Sequence, residues 1–171
     1  AARSLFVDIC NCDVGLSERS YCELIRNFGK MGTMEDCEKV MNEARVRRGT
    51  LSAELFNSLI HVYCAKNDTE ALHNVLPRME SEGVKPSGRT FYDMMNYFAK
   101  ERDQATCKSL MKELKRQRLR KDKNVFKAIL RYHYAMQDVD MLELTFHEMW
   151  EDYGIKPDVE AYNIRICCLA Y

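Results

Sequence analysis

Residues 53–87 read AELFNSLIHVYCAKNDTEALHNVLPRMESEGVKPS. Phe56 is followed at three, four and seven residues by Leu59, Ile60 and Tyr63, the spacing that stacks side chains on one face of a helix. Sixteen residues after Phe56 a second stripe of the same spacing begins, formed by Leu72, Val75, Leu76 and Met79. The stretch closes on Gly83-Val84-Lys85-Pro86-Ser87, with a glycine suited to a left-handed helix cap and a proline that cannot continue a helix. Two amphipathic helices followed by a stop are predicted. Pro77 fits this badly, because a proline inside a helix costs about 3 kcal/mol unless the helix kinks there.

The pattern repeats on both sides. Tyr21, Phe56, Phe91, Phe126 and Tyr162 are separated by 35, 35, 35 and 36 residues. First-helix stripes follow as Leu24, Ile25, Phe28, then Met94, Met95, Phe98, then Ile129, Leu130, His133. Second-helix stripes follow as Cys37, Val40, Met41, Ala44, then Cys107, Leu110, Met111, Leu114, then Leu142, Thr145, Phe146, Met149. The extra residue of the fourth unit falls between Met149 and Gly154, where a loop absorbs an insertion with least harm. Gly154-Ile155-Lys156-Pro157-Asp158 closes that unit as Gly83 to Ser87 closes the second.

The chain is thus a single repeat array over 1–171, with complete helix pairs at 18–52, 53–87, 88–122 and 123–158. Ala2, Leu5, Phe6 and Ile9 make 1–17 the second-helix half of a pair, and Tyr162, Ile166 and Leu169 make 159–171 the first-helix half of another. One helix pair is too small to bury its own apolar face, so neighbouring pairs must stack and share a core. The expected fold is all-α, a right-handed superhelical α-solenoid of stacked antiparallel helix pairs.

Composition supports a helical chain. Three Pro and seven Gly among 171 residues leave little material for the many turns of a β-sandwich or barrel. The 26 Lys and Arg balance 26 Asp and Glu, which argues against an arginine-rich arm or a histone-like binder. The eight cysteines fall singly or as the near pairs Cys10 with Cys12 and Cys167 with Cys168, which reads as free thiols in a reducing compartment. No apolar run approaches the roughly 18 residues of a membrane span. The chain opens at Ala1 rather than Met, which fits a removed targeting segment or absent flanks alike.

The period near 35, the aromatic followed by Asn in Phe56-Asn57-Ser58-Leu59-Ile60 and Tyr162-Asn163, and the two G-[IV]-K-P-[DS] closures resemble the pentatricopeptide repeat family. The tetratricopeptide family, of period 34, wants a glycine four residues after the aromatic. Ile25, Ile60, Met95, Leu130 and Ile166 stand there instead.

The resemblance implies binding of single-stranded RNA, with about one nucleotide per repeat along the concave surface, in mitochondria or, alternatively, plastids. It also implies that the residue after each aromatic and the last residue of the repeat read a base edge together. Those pairs are Cys22 with Ser52, Asn57 with Ser87, Tyr92 with Asp122, and Lys127 with Asp158, with Asn163 left over. Asn57 with Ser87 matches a working pair and leans towards a pyrimidine; the others depart from the pattern. The family's aliphatic residue two before the aromatic, which sandwiches the base, is replaced by Arg19, Glu54, Arg89, Asn124 and Glu160.

Charge can be read independently of any resemblance. The first-helix face lining the groove runs through Cys22, Arg26, Lys30; Asn57, His61, Ala65; Tyr92, Asn96, Lys100; Lys127, Arg131, Ala135; and Asn163, Cys167, Tyr171. Five Lys or Arg, one His and no acid suit contact with phosphates, although a solvated helix face reads the same way. Two further basic clusters, Arg45, Arg47, Arg48 and Lys112, Lys115, Arg116, Arg118, Arg120, Lys121, close second helices. There they complement the helix dipole or hold folded RNA without reading its sequence.

Catalytic signatures are missing from this stretch. It has no Gly-rich phosphate loop, no H-E-x-x-H and no C-x-x-C of metal spacing, so neither an enzyme nor a cofactor or metal is expected. Cys37 and Cys107 read as buried small hydrophobes. Two functions remain open. One is an organellar RNA-binding solenoid gripping a single strand in its groove, in RNA metabolism or translation. The other is a structural subunit of a mitochondrial ribosome or RNA-processing ribonucleoprotein, holding protein and folded RNA.

Overall fold

The computed structural model describes residues 15–31 and 34–170. Ala2, Leu5, Phe6 and Ile9 of the expected N-terminal half pair, together with Cys10, Cys12 and Tyr171, lie outside the described residues. Among the described residues there are nine helices and no strand. The chain divides between Lys85 and Pro86 into two compact units.

The first unit holds α1 (Glu18–Met31), α2 (Met34–Arg48), α3 (Ala53–Lys66) and α4 (Thr69–Ser81). The helix α1 packs on both α2 and α3, and α3 packs on α4, so first helices stack on first helices while second helices cover them. The predicted stripes supply the core: Tyr21, Ile25, Phe28, Phe56 and Ile60 are buried against Cys37, Val40, Met41, Leu72, Val75 and Met79. Leu76 is half-buried, and α4 is helical through Pro77, which lies exposed. On α1, a Cβ at Gly29 would stand 2.3 Å from Val62 Cγ2 of α3, so the absence of a side chain sets how closely these two helices meet.

A polar network also ties this unit together. Arg78 of α4 donates to both carboxylate oxygens of Glu38 on α2, at 2.8 and 2.7 Å, and the Tyr63 hydroxyl of α3 donates to the same carboxylate at 3.3 Å. The Arg78 guanidinium lies 5.8 Å from the Phe56 ring centroid. Bidentate donation by Arg78 holds the Glu38 carboxyl below its ordinary value. Burial, with Glu38 beside it, pushes Tyr63 up to about 12.

The second unit holds α5 (Gly88–Lys100), α6 (Gln104–Gln117), α7 (Lys123–Met136), α8 (Val139–His147) and α9 (Val159–Leu169). Here α7 is central, packed on α5, α6, α8 and α9. Phe126, Leu130, Leu142, Phe146, Met149, Ala161, Ile164 and Cys168 share one buried cluster. Tyr162, Ile166 and Leu169 of α9 are 46%, 61% and 55% exposed, whereas Phe126, Leu130 and His133, 36 residues earlier, are buried. Burial pushes the Cys37 thiol to about 11 and the Cys107 thiol to about 12, so both are neutral apolar filler.

Helix boundaries repeat with the same period as the core. Asn67, Arg102 and Gln137 adopt left-handed backbone with φ of 55°, 58° and 56°. The following Asp68, Asp103 and Asp138 cap α4, α6 and α8 by accepting from Ala71, Thr106 and Met141 backbone N–H. Their own N–H groups donate to Tyr63, Phe98 and His133 carbonyls at 3.0 Å each, closing the preceding helix in a Schellman turn. Gly83 and Gly154 are left-handed, at φ 68° and 62°, as the sequence predicts. The extra residue of the fourth unit is not in a loop. It is absorbed by a π-helical turn, Glu148–Asp152, that continues α8; the bond from Tyr153 N–H to the Glu148 carbonyl at 3.2 Å spans five residues. Met149 stays buried, and the widened turn leaves Trp150 45% exposed.

Candidate nucleic-acid interface

The residues expected to line a groove sit on the first helices. In the first unit, Cys22 of α1 and Asn57 of α3 are 8% and 5% exposed, while Arg26, Lys30 and His61 stand in solvent one or two turns further on. The Cys22 thiol is pushed up by burial and bonds Ser58, which opposes that rise. In the second unit, Tyr92 and Asn96 of α5, Lys127 and Arg131 of α7, and Asn163 and Cys167 of α9 occupy corresponding positions. Lys100 and Asn163 are exposed.

The repeat-closing residues all do structural work. Ser52, Ser87, Asp122 and Asp158 are the N-caps of α3, α5, α7 and α9, accepting from the backbone N–H of Leu55, Thr90, Val125 and Ala161. Ser52 also donates to Glu18, whose carboxylate takes Arg48 at 3.1 Å. Ser87 and Thr90 form a reciprocal capping box. Asp158 is held below the ordinary carboxyl value by the Ala161 N–H, Lys127 and Lys123, against the opposing push of desolvation.

The five cations expected on the first-helix faces differ in their surroundings. Arg26, Lys30 and Lys100 are exposed. Arg131 is half-buried; burial works against its charge, and its Nε makes no hydrogen bond among the described residues. Asn96 on α5, at the corresponding repeat position, has its Oδ1 in the same condition. Lys127 is 6% exposed and ion-paired, with Nζ 2.7 Å from Glu160 Oε2 and 3.5 Å from Asp158 Oδ2. The acid-free face read from the α7 sequence therefore acquires a carboxylate from α9. No sequence spacing along one helix signals this contact.

The outer basic clusters are largely engaged. Arg45 pairs with Glu82 at 2.6 Å, Arg47 with Glu43, Arg48 with Glu18, Arg116 with Glu113 at 2.7 Å, and Lys121 with Glu148. Lys115, Arg118 and Arg120 are exposed, and Arg118 is the left-handed cap of α6 at φ 47°. The Glu38–Arg78–Tyr63 network is absent from the sequence reading. Its signal is that Arg78 stands where Glu43, Glu113 and Glu148 stand in the other pairs. Among the described residues, no group of three or more His, Cys, Asp or Glu is placed to hold a metal ion, and no helix is long and apolar enough to cross a membrane.

The sequence model of a family described as pentatricopeptide repeat-containing protein matches residues 21–149. A chloroplastic pentatricopeptide repeat-containing protein of Arabidopsis thaliana is 22% identical over 140 residues, covering 82% of this chain and 15% of that protein. A mitochondrial one from the same plant is 30% identical over 73 residues, covering 43% of this chain and 14% of that protein. The chain thus spans 15% and 14% of the length of these relatives.

Two solved structures share the fold. The maize pentatricopeptide repeat protein PPR10, in complex with an 18-nucleotide psaJ RNA element, superposes with a TM-score of 0.69 at 19% identity, over 99% of this chain and 25% of that one. The repeat domain of Arabidopsis thaliana protein-only RNase P 1, in complex with tRNA, gives a TM-score of 0.65 at 14% identity, over 99% and 89%. The fold is that of these α-solenoids.

Proposed function

This chain belongs to the pentatricopeptide repeat family, and on that premise we propose that it binds single-stranded RNA along the face formed by its first helices, inside a mitochondrion or plastid. The repeats in this reading are 18–52, 53–87, 88–122 and 123–158, with half repeats at 1–17 and 159–171. One observation carries the reading. Arg131 Nε and Asn96 Oδ1, at matching positions of α7 and α5, are buried without a hydrogen-bond partner among the described residues. A buried donor and acceptor left open cost stability unless a ligand completes them. Turned outward on binding, Arg131 meets a phosphate and Asn96 a ribose or base donor, which supply the missing partners. Arg26, Lys30 and Lys100 are exposed cations for the backbone. The relatives named chloroplastic and mitochondrial, and the similar structures in complex with RNA, support an organellar RNA binder.

A second reading rests on a different surface. Leu144 and Trp150 of the α8 segment and Tyr162 of α9 are 63%, 45% and 46% exposed around a cavity of about 670 Å³. Such a patch suits protein contact, as expected of a subunit in a mitochondrial ribosome or RNA-processing ribonucleoprotein. Ultraviolet crosslinking of the protein in its native complex, with mapping of the RNA-bonded peptides, separates the two. Crosslinks on α1, α3, α5 and α7 around Asn57, Asn96 and Arg131 support the groove reading. Crosslinks confined to the Arg118 and Arg120 turn, or none, overturn it in favour of a scaffold. In solution, Arg131→Gln lowers affinity for a single-stranded RNA about tenfold, the order expected for one charged contact.

A further inference from the structure

Glu160 lies two residues before Tyr162, at the position held by Arg19, Glu54, Arg89 and Asn124 in the earlier pairs. Both of its carboxylate oxygens are taken: Oε1 accepts from the Tyr92 hydroxyl and Oε2 from Lys127 Nζ at 2.7 Å. Tyr92 on α5 and Lys127 on α7 are the residues that follow the aromatic in consecutive pairs, so one carboxylate from α9 holds two neighbouring face positions. The Lys127 ammonium lies 4.4 Å from the Tyr92 ring centroid, over the ring surface on which a base would otherwise stack. Asp158 Oδ2, 3.5 Å from the same ammonium, adds a second negative charge. A phosphate approaching Lys127 must displace a hydrogen-bonded carboxylate and meets like charge on arrival.

We propose that Glu160 is a latch that withholds the Tyr92 and Lys127 positions from RNA, so that a strand on this unit contacts Asn96, Lys100 and Arg131 and bypasses those two. The latch rests on the RNA-binding reading above and adds to it the residue that decides which positions are open. Glu160→Gln removes the charge and keeps the shape. Glu54→Gln removes a charge from the same repeat position on α3, where the glutamate is exposed. Tyr92→Phe takes one donor from Glu160 and leaves the ring in place.

The test is binding of a fluorescein-labelled oligouridylate over a range of salt, with thermal melts establishing that each variant is folded. E160Q is expected to bind about fivefold tighter, with the slope of log K against log salt steeper by about 0.7, one further phosphate contact on a single strand. Tyr92→Phe is expected to bind about twofold tighter, E54Q to stay within about twofold of the parent, and Lys127→Gln added to E160Q to cancel the gain. If the parent binds RNA and neither E160Q nor Tyr92→Phe exceeds E54Q, the latch is overturned and the RNA reading stands. If neither parent nor E160Q shows saturable binding, the RNA reading falls and the latch falls with it.

Discussion

His133 occupies on α7 the place that Phe28, Tyr63 and Phe98 fill in the earlier pairs. It is 6% exposed, and its Nδ1 makes no hydrogen bond among the described residues. Burial holds its pKa below the ordinary histidine value of 6.5. The folded state therefore resists protonation between 6.5 and that lower value, while the unfolded chain binds a proton. Stability is complete above pH 6.5 and falls as the pH drops through the window. Replacing His133 with Phe, already used at two of the equivalent positions, should remove this loss. Thermal melts at pH 7.5 and 5.5 should converge for His133→Phe and differ for the parent; an equal difference in both would show that His133 titrates normally. The Glu38 carboxyl, held down by Arg78, contributes its acid loss in a separate window, below its ordinary 4.5. That His133 belongs to an apolar stripe is legible in the sequence. That its pKa is lowered and its Nδ1 makes no hydrogen bond among the described residues is not, because this depends on what packs around it.

At the scale of the element, the aspartate caps fix where each apolar stripe begins. Asp103 bonds the Thr106 backbone N–H at 3.0 Å and its hydroxyl at 2.5 Å, so Asp103→Ala should cost about 1 kcal/mol. That is a fall of roughly 2–4 °C in melting temperature for a chain of this size, and an unchanged melt would argue that α6 begins elsewhere. Gly29 sets two effects against each other. Alanine there gains about 1 kcal/mol of helix propensity, but its Cβ would stand 2.3 Å from Cγ2 and 2.7 Å from Cγ1 of Val62. Neither branch of a valine can turn away without driving the other in, and overpacking costs about 1–3 kcal/mol. Gly29→Ala should therefore destabilise, and adding Val62→Ala should restore part of the loss; a stabilised single variant would show that α1 and α3 have room to part. The glycine is visible in the sequence, but its reason lies on α3. The π-turn after α8 is hidden in the same way. A 36-residue spacing reports one extra residue, and only the bond from Tyr153 N–H to the Glu148 carbonyl shows that the helix widens rather than loops to take it up.

Across the whole molecule, the period of 35 made the fold readable because Tyr21, Phe56, Phe91 and Phe126 are buried in turn, and an aromatic buried at the same place in four consecutive helix pairs has one physical explanation. For the proposed interface the sequence offers a helix face and no more. The identity of its working cations depends on contacts between helices: Glu160 comes from α9 to Lys127 on α7, and Glu18 from α1 to Arg48 on α2. With 26 basic and 26 acidic side chains the chain has no net attraction for RNA, so salt-dependent affinity must arise from local cations. On the proposed function, counting all five cations expected on the first-helix faces gives a slope of log K against log salt near −3.5 for a single strand at about 0.7 per contact; leaving out the paired Lys127 gives about −2.8. Arg131→Gln should lower the slope by about 0.7, whereas Lys127→Gln should leave it unchanged because that charge is already neutralised inside the protein. Arg116→Gln, at a side chain 2.7 Å from Glu113, should also leave it unchanged. A slope that falls equally for Arg131→Gln and Lys127→Gln would mean that RNA displaces Glu160 on binding and that the buried ion pair does not define the interface.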